Sequence, residues 1–148
     1  MLQEYKNILV AVDGSKEAEK ALNKAIDTSK QNQAKLIITH IIDTRTFQAV
    51  SSFDGILAEQ ATKMAEETLK KYEEQAKQKG CNKIKTILEY GSPKSIIAKQ
   101  IPSEQTIDLI MLGATGLNAI ERLFIGSVSE YVIRHAPCDA LIVRNDSK

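Results

Sequence analysis

Gly113-Ala114-Thr115-Gly116, then a nine-residue spacer, then Gly126-Ser127: this spacing bears most directly on chemistry in the 148-residue chain. It directly follows an apolar run, Leu109-Ile110-Met111-Leu112, and Ser127 leads into a helical pattern. Glycines in such a place allow positive φ and let the backbone approach a ligand closely. Backbone N–H groups at a turn and at a helix start form an anion site, because their donors and the helix dipole point the same way. The residues therefore read as a phosphate cradle. With Gly at about 7% of residues and Ser plus Thr at about 12%, this pattern arises by chance in roughly half a percent of chains of this length. The alternative is three glycines that serve turns and nothing else.

Gly113-x2-Gly116-x9-Gly126-Ser127 resembles the ATP-binding signature of the universal stress protein family. The opening Asn7-Ile-Leu-Val-Ala-Val-Asp13-Gly-Ser15 resembles that family's first strand and Asp loop, and Ala136-Pro-Cys-Asp-Ala-Leu-Ile-Val-Arg144 its last strand. The resemblance runs from about Lys6 to Arg144. It implies an open five-stranded parallel sheet in the order 3-2-1-4-5, with helices on both faces. It also implies an adenine nucleotide, ATP, in the crevice where that strand order reverses, beyond the carboxyl ends of strands 1 and 4.

Residue by residue, the resemblance puts Asp13 near the ribose and phosphates, where it helps hold a divalent cation, Mg²⁺ or Mn²⁺. A hard cation with oxygen ligands suits a carboxylate beside phosphates. The plainer reading of Asp13 is a loop carboxylate satisfied by backbone N–H groups. Ile41, following the second strand, would meet the adenine edge through its backbone, and the small Ala11 would line the same pocket. Ile41 could instead be plain core packing. Gly113, Gly116, Gly126 and Ser127 would touch phosphates, joined by Val128 and Ser129. The hydroxyls of Ser127 and Ser129 could instead cap the last helix. Thr115 is a weaker hydroxyl candidate, Arg122 in the spacer reads as solvated, and Asp43 as a loop residue.

These parts need a scaffold, and short apolar runs alternating with helical patterns supply one: βαβ units and a parallel sheet. The runs are Ile8–Val12, Leu36–Ile42, Ile84–Leu88, Leu109–Leu112 and Ala140–Val143. Most are near-continuous, as strands covered on both faces are. The third, with Lys85 and Glu89, reads as nearer an edge. The first helix starts near Ser15 and buries Ala18, Ala21, Leu22, Ala25 and Ile26. The second runs roughly from Gly55 to Lys79 with Leu57, Ala61, Met64, Ala65, Thr68 and Tyr72 inward, and Gly80 ends it. The third begins at Ser92-Pro93 and is stopped by Pro102. The fourth begins at Ser127, buries Val128, Tyr131 and Val132, and ends before Pro137. The stretch from Asp43 to Asp54 has no strong periodicity and reads as a loop over the adenine side.

Size and composition fit a single domain over residues 1–148 with an ordinary core. Apolar residues make up 43% and charged residues 26%, with a net charge of +1. That charge gives no reason to expect nucleic acid or an anionic membrane as partner. No apolar run approaches a bilayer span, and the first residues lack a signal-peptide pattern, so a cytoplasmic protein is expected. Cys81 and Cys138 lack disulfide or zinc spacing. Cys138 reads as a small buried hydrophobe and Cys81 as more exposed. His40 reads as a satisfied core imidazole and His135 as a helix-end residue.

Fast phosphoryl transfer lacks its usual parts. There is no Gly-x4-Gly-Lys-[Ser/Thr] loop, no Gly-x-Gly-x-x-Gly, and no base beside the glycines, since Glu121 and Glu130 read as exposed. The expectation is an ATP-binding stress-response or signalling module with slow or no hydrolysis, at most a weak ATPase. A slow ATP hydrolase or nucleotidyl transferase, and a dimeric interaction protein with a vestigial site, are the alternatives. The last strand, Asp139-Ala-Leu-Ile-Val-Arg144, should be an edge. The resemblance implies that it pairs with its copy in a homodimer, which would cover an apolar edge. A protein partner is expected but is not named by the sequence.

Overall fold

Ile8, Leu9 and Val10 are all completely buried. An uninterrupted apolar strand can be satisfied only if both faces of its sheet are covered. The computed structural model, which describes residues 5–44, 54–114 and 126–144, has that architecture. Five parallel strands, β1 (Asn7–Ala11), β2 (Lys35–Asp43), β3 (Ile84–Gly91), β4 (Leu109–Gly113) and β5 (Asp139–Val143), lie in the order β3-β2-β1-β4-β5. The third run is an edge, as its charges suggested, and the fifth is the other edge.

Helices α1 (Lys16–Asn32) and α2 (Asp54–Gln78) cover one face. The opposite face is covered by α3, built from Pro93–Ser95, Ile96–Gln100 and Ile101–Gln105, and by α4 (Ser127–His135). Side chains of β1 alternate between the two cores: Ile8 and Val10, with Val12 just beyond the strand, meet α1 and α2, and Leu9 meets α3 and α4. The first helix starts where expected, because the Ser15 hydroxyl accepts the Ala18 N–H at 3.1 Å, and all five expected apolar residues are buried.

The structure departs from the expected pattern at five places. Met64 is 67% exposed. At about 100° per residue it lies about 100° from the stripe formed by Ala65, Leu69, Tyr72 and Ala76, too far to reach the sheet. Pro102 does not stop α3, which runs on to Gln105. Proline cannot donate to the carbonyl four residues back and crowds it. The helix absorbs this with a widened turn, in which the Ile101 N–H reaches the Ile96 carbonyl. Ile41 lies within β2 rather than after it, and Asp43, read as a loop residue, is the last residue of that strand. The cysteines exchange roles, Cys81 being buried and Cys138 half-buried. Gly80 explains the first: its N–H bonds Lys77 O at 3.0 Å, and the next N–H, of Cys81, turns back to Ala76 O at 3.0 Å. That motif folds the following side chain under the helix end. The fifth departure concerns the glycines of the cradle and is taken up below. Among the described residues no helix is long and apolar enough to cross a membrane.

Candidate functional site

Two strand ends meet at the point where the sheet order reverses. The end of β1 is fixed to β2 twice: Val12 N–H donates to Thr39 O at 2.8 Å, and His40 Nδ1–H donates to Val12 O at 2.9 Å. His40 is thus a satisfied, half-buried imidazole that anchors the acidic loop. Beyond it the chain turns through Gly14, at φ +88°, and Asp13 Oδ1 accepts the Ser15 N–H at 2.9 Å. Asp13 is exposed, and its second carboxylate oxygen has no partner among the described residues.

The end of β4 is stitched to α4 and β5. Ala114 N–H donates to Val143 O, Gly126 N–H donates to Ala114 O, and Ser129 Oγ donates to Gly113 O, each at 3.0 Å. The first intrahelical bond of α4 is Glu130 N–H to Gly126 O. The N–H groups of Ser127, Val128 and Ser129 therefore have no partner within the helix, the normal condition of a helix start and the origin of its affinity for anions. Neither serine hydroxyl caps α4, whose cap residue is Gly126. The Ser129 hydroxyl is buried and spent on Gly113, so what it leaves for a ligand is its backbone N–H; Ser127 is exposed.

Gly113 and Gly126 do not adopt positive φ, contrary to the expected use of glycine here. Their role is close packing. A Cβ on Gly113 would lie 2.9 Å from Glu17 O, and one on Gly126 would lie 3.2 Å from Ala114 O. The absence of side chains lets β4 press against the first turn of α1 and lets the α4 start return beside Ala114.

A cleft of about 530 Å³ opens between these ends. Ala11, Asp13, Ile41, Gly113, Gly126, Ser127, Val128 and Ser129 all line it. Gly116, Thr115, Glu121, Arg122 and most of the loop expected between Asp43 and Asp54 lie outside the described residues. Sequence reasoning did not assign Pro93, Ile97 and Leu112, or Glu17 on the acidic side, to this wall. Pro93 was legible only as a helix start, because its approach to the strand ends depends on tertiary packing. Among the described lining residues the charged side chains are Asp13 and Glu17. Burial raises the Tyr72 phenol on α2 above its usual value, and the carboxylates of Glu19 and, from the cleft, Asp13 push the same way. Glu130 is exposed and paired with Arg134 at 3.3 Å. Among the described residues no three carboxylate, His or Cys groups form a metal cage.

Residues 4–144 match the model of the universal stress protein family. A candidate universal stress protein of Staphylococcus haemolyticus is 54% identical over 142 residues, which cover 96% of this chain and 86% of that protein. A Staphylococcus aureus counterpart is 51% identical with the same coverage. Among solved structures, universal stress protein UspA from Lactobacillus plantarum superposes with a TM-score of 0.85 at 31% identity, over 95% of this chain and 99% of that one. A universal stress protein in complex with cAMP gives a TM-score of 0.69 at 26% identity, over 95% and 97% of the two chains. Together with the sheet order and the motifs along the sequence, these matches show that the chain belongs to the universal stress protein family.

Proposed function

We propose that this protein binds ATP in the cleft between β1 and β4 and acts as a nucleotide-dependent stress-response or signalling module, with slow or no hydrolysis. The observation that carries the reading is that residues from the Asp13 loop, the end of β2, the end of β4 and the start of α4, far apart in the chain, line one cleft of about 530 Å³. Its size suits a nucleotide-sized ligand. The N–H groups of Ser127, Val128 and Ser129, which have no partner within the helix, suit a phosphate tail, and Ala11 and Ile41 suit a base. A relative that holds cAMP on the same fold supports an adenine nucleotide as the ligand class.

Asp13 fits a divalent cation, Mg²⁺ or Mn²⁺, shared with phosphate. It is one exposed carboxylate with an oxygen to spare, in a wall whose other described charge is also acidic. Such cations are commonly held by one or two carboxylates plus substrate phosphates. The cation would neutralise phosphate charge next to Asp13; positioning that carboxylate is the work of Gly14, the Ser15 N–H and the His40 anchor.

Slow or no turnover is supported by the described wall, whose charged side chains are the acidic Asp13 and Glu17, and by Glu130, which is exposed and paired with Arg134. Nucleotide occupancy acts only if it favours one conformation or partner surface over another. The protein is proposed to work in the cytoplasm as a homodimer through residues 139–144, with a further protein as its reader. Calorimetry of the purified chain with ATP and Mg²⁺ tests the central claim. Saturable heat, reduced at least about tenfold in affinity by Asp13→Ala, is expected. No heat at high micromolar ATP overturns it. ADP or AMP formation over hours that Asp13→Ala abolishes would favour the hydrolase or transferase alternative.

A further inference from the structure

One wall of the cleft owes nothing to the glycine spacing. It comes from α3 and consists of Pro93, its first residue, and Ile97, about one turn on. Ile97 is 3% exposed and belongs to the widened turn Ile96–Gln100. Turns of that kind recur inside helices at functional sites. Within it the neighbouring side chains divide their work: Ile96 runs under Gly91, where a Cβ would lie 3.0 Å from Ile96 Cδ1, while Ile97 lines the cleft. Ala11 and Ile41, from the sheet side, pack on the same apolar cluster as Ile97 and line the same cleft. Leu112 completes this end. These five side chains carry no hydrogen-bond donor or acceptor, whereas the opposite end offers N–H groups and carboxylates.

We infer that Pro93 and Ile97 form the second wall of the base pocket, so that α3 determines which ring system the protein accepts. The inference rests on the reading of the cleft as a nucleotide site. An aromatic ring has two apolar faces. Ala11 and Ile41 line the cleft from the sheet side, and Pro93 and Ile97 line it from the helix side. Among the described residues this end of the cleft is lined by apolar side chains, so selection works through shape and backbone edges, and removing wall atoms relaxes it. A purine nucleotide with a bare ring is therefore preferred over one carrying an added group.

The test compares ATP with ATP analogues bearing a methyl or benzyl group at C2, N6 or C8, titrated into the unaltered chain, Ile97→Ala and Pro93→Ala with Mg²⁺. Far-UV circular dichroism checks folding. In Ile97→Ala the affinity for ATP falls at least about tenfold, because three side-chain carbons are lost and even one methylene in an apolar pocket has that effect. The affinity for at least one substituted analogue relative to ATP rises by about the same factor. Pro93→Ala, at a half-buried helix start, shifts the ratio in the same direction and decides the matter if Ile97→Ala does not fold. Equal losses for ATP and every analogue, or no loss at all, overturn the role of α3 while leaving ATP binding by the unaltered chain intact. Failure of the unaltered chain to bind ATP overturns the functional reading itself, and this inference with it.

Discussion

A methyl group on residue 113 would sit 2.9 Å from the carbonyl oxygen of Glu17 and 3.2 Å from its carbonyl carbon. Both atoms are backbone in a helix, so neither can swing aside, and Gly113→Ala should cost about 1–3 kcal/mol in urea unfolding. Among the described residues Gly126→Ala meets only the Ala114 carbonyl oxygen, at 3.2 Å, and should cost less. Equal stability of Gly113→Ala and the unaltered chain would refute the packing role. Ionisation offers a second prediction at this scale. Burial raises the Cys138 thiol from 9.0 to about 11, and the Asp108 and Asp139 carboxylates add to the shift. Burial also raises Tyr72 and Cys81, Lys30 partly opposing it at Cys81. Between the ordinary and raised values the unfolded chain holds fewer protons than the folded one, so stability falls with rising pH. The thiol's contribution is therefore complete below about pH 9 and lost as pH climbs toward about 11. Urea midpoints should decline over that range, and Cys138→Ser should flatten the decline; a rise in stability would contradict the assignment.

At the scale of elements, α2 separates what periodicity reveals from what it hides. Leu69 is 5% exposed and faces the sheet; Met64 is 67% exposed and faces away. Met64→Lys should leave stability within about 0.5 kcal/mol. Leu69→Ala should cost about 2–5 kcal/mol by opening a cavity. The reverse order in chemical denaturation would mean that the helix is rotated. The stripe of α1 was legible in full because five apolar residues recur in a single register behind a serine cap. Met64 misled because an apolar side chain next to the true stripe has the same composition signal as one within it. Pro102 read as a stop because helix rules are local, while the widened turn that tolerates it is held in place by packing of Ile96, Ile97 and Ile101. The site follows the same division. The glycine spacing marked the cradle, and the resemblance marked Asp13, Ala11 and Ile41. The α3 wall, and the reason Gly113 must be glycine, arise from contacts between segments far apart in the chain and leave no local pattern to read.

For the molecule as a whole, the cradle and the sheet edge are one hydrogen bond apart. Gly113 pairs in register with Val143, and the Ala114 N–H, the first after β4, is bonded to the Val143 carbonyl. Among the described residues strand β5 has a neighbour only on the β4 side, yet its four apolar residues, Ala140 to Val143, are half-buried and contribute to both cores. An apolar strand with one free edge recruits another strand unless something blocks it. Antiparallel pairing with the same strand of a second copy closes the edge by a two-fold axis and leaves no further edge to propagate. That geometry would place the two clefts on either side of a shared ten-stranded sheet, each one hydrogen bond from the junction. Light scattering at micromolar concentration should give twice the chain mass. Val143→Asp puts like charges near the axis of the paired strands and should weaken the dimer by at least about tenfold. A monomeric mass for the unaltered chain would exclude this assembly. An unchanged dimer in Val143→Asp would instead move the interface away from β5 and cut the proposed link between nucleotide site and partner subunit.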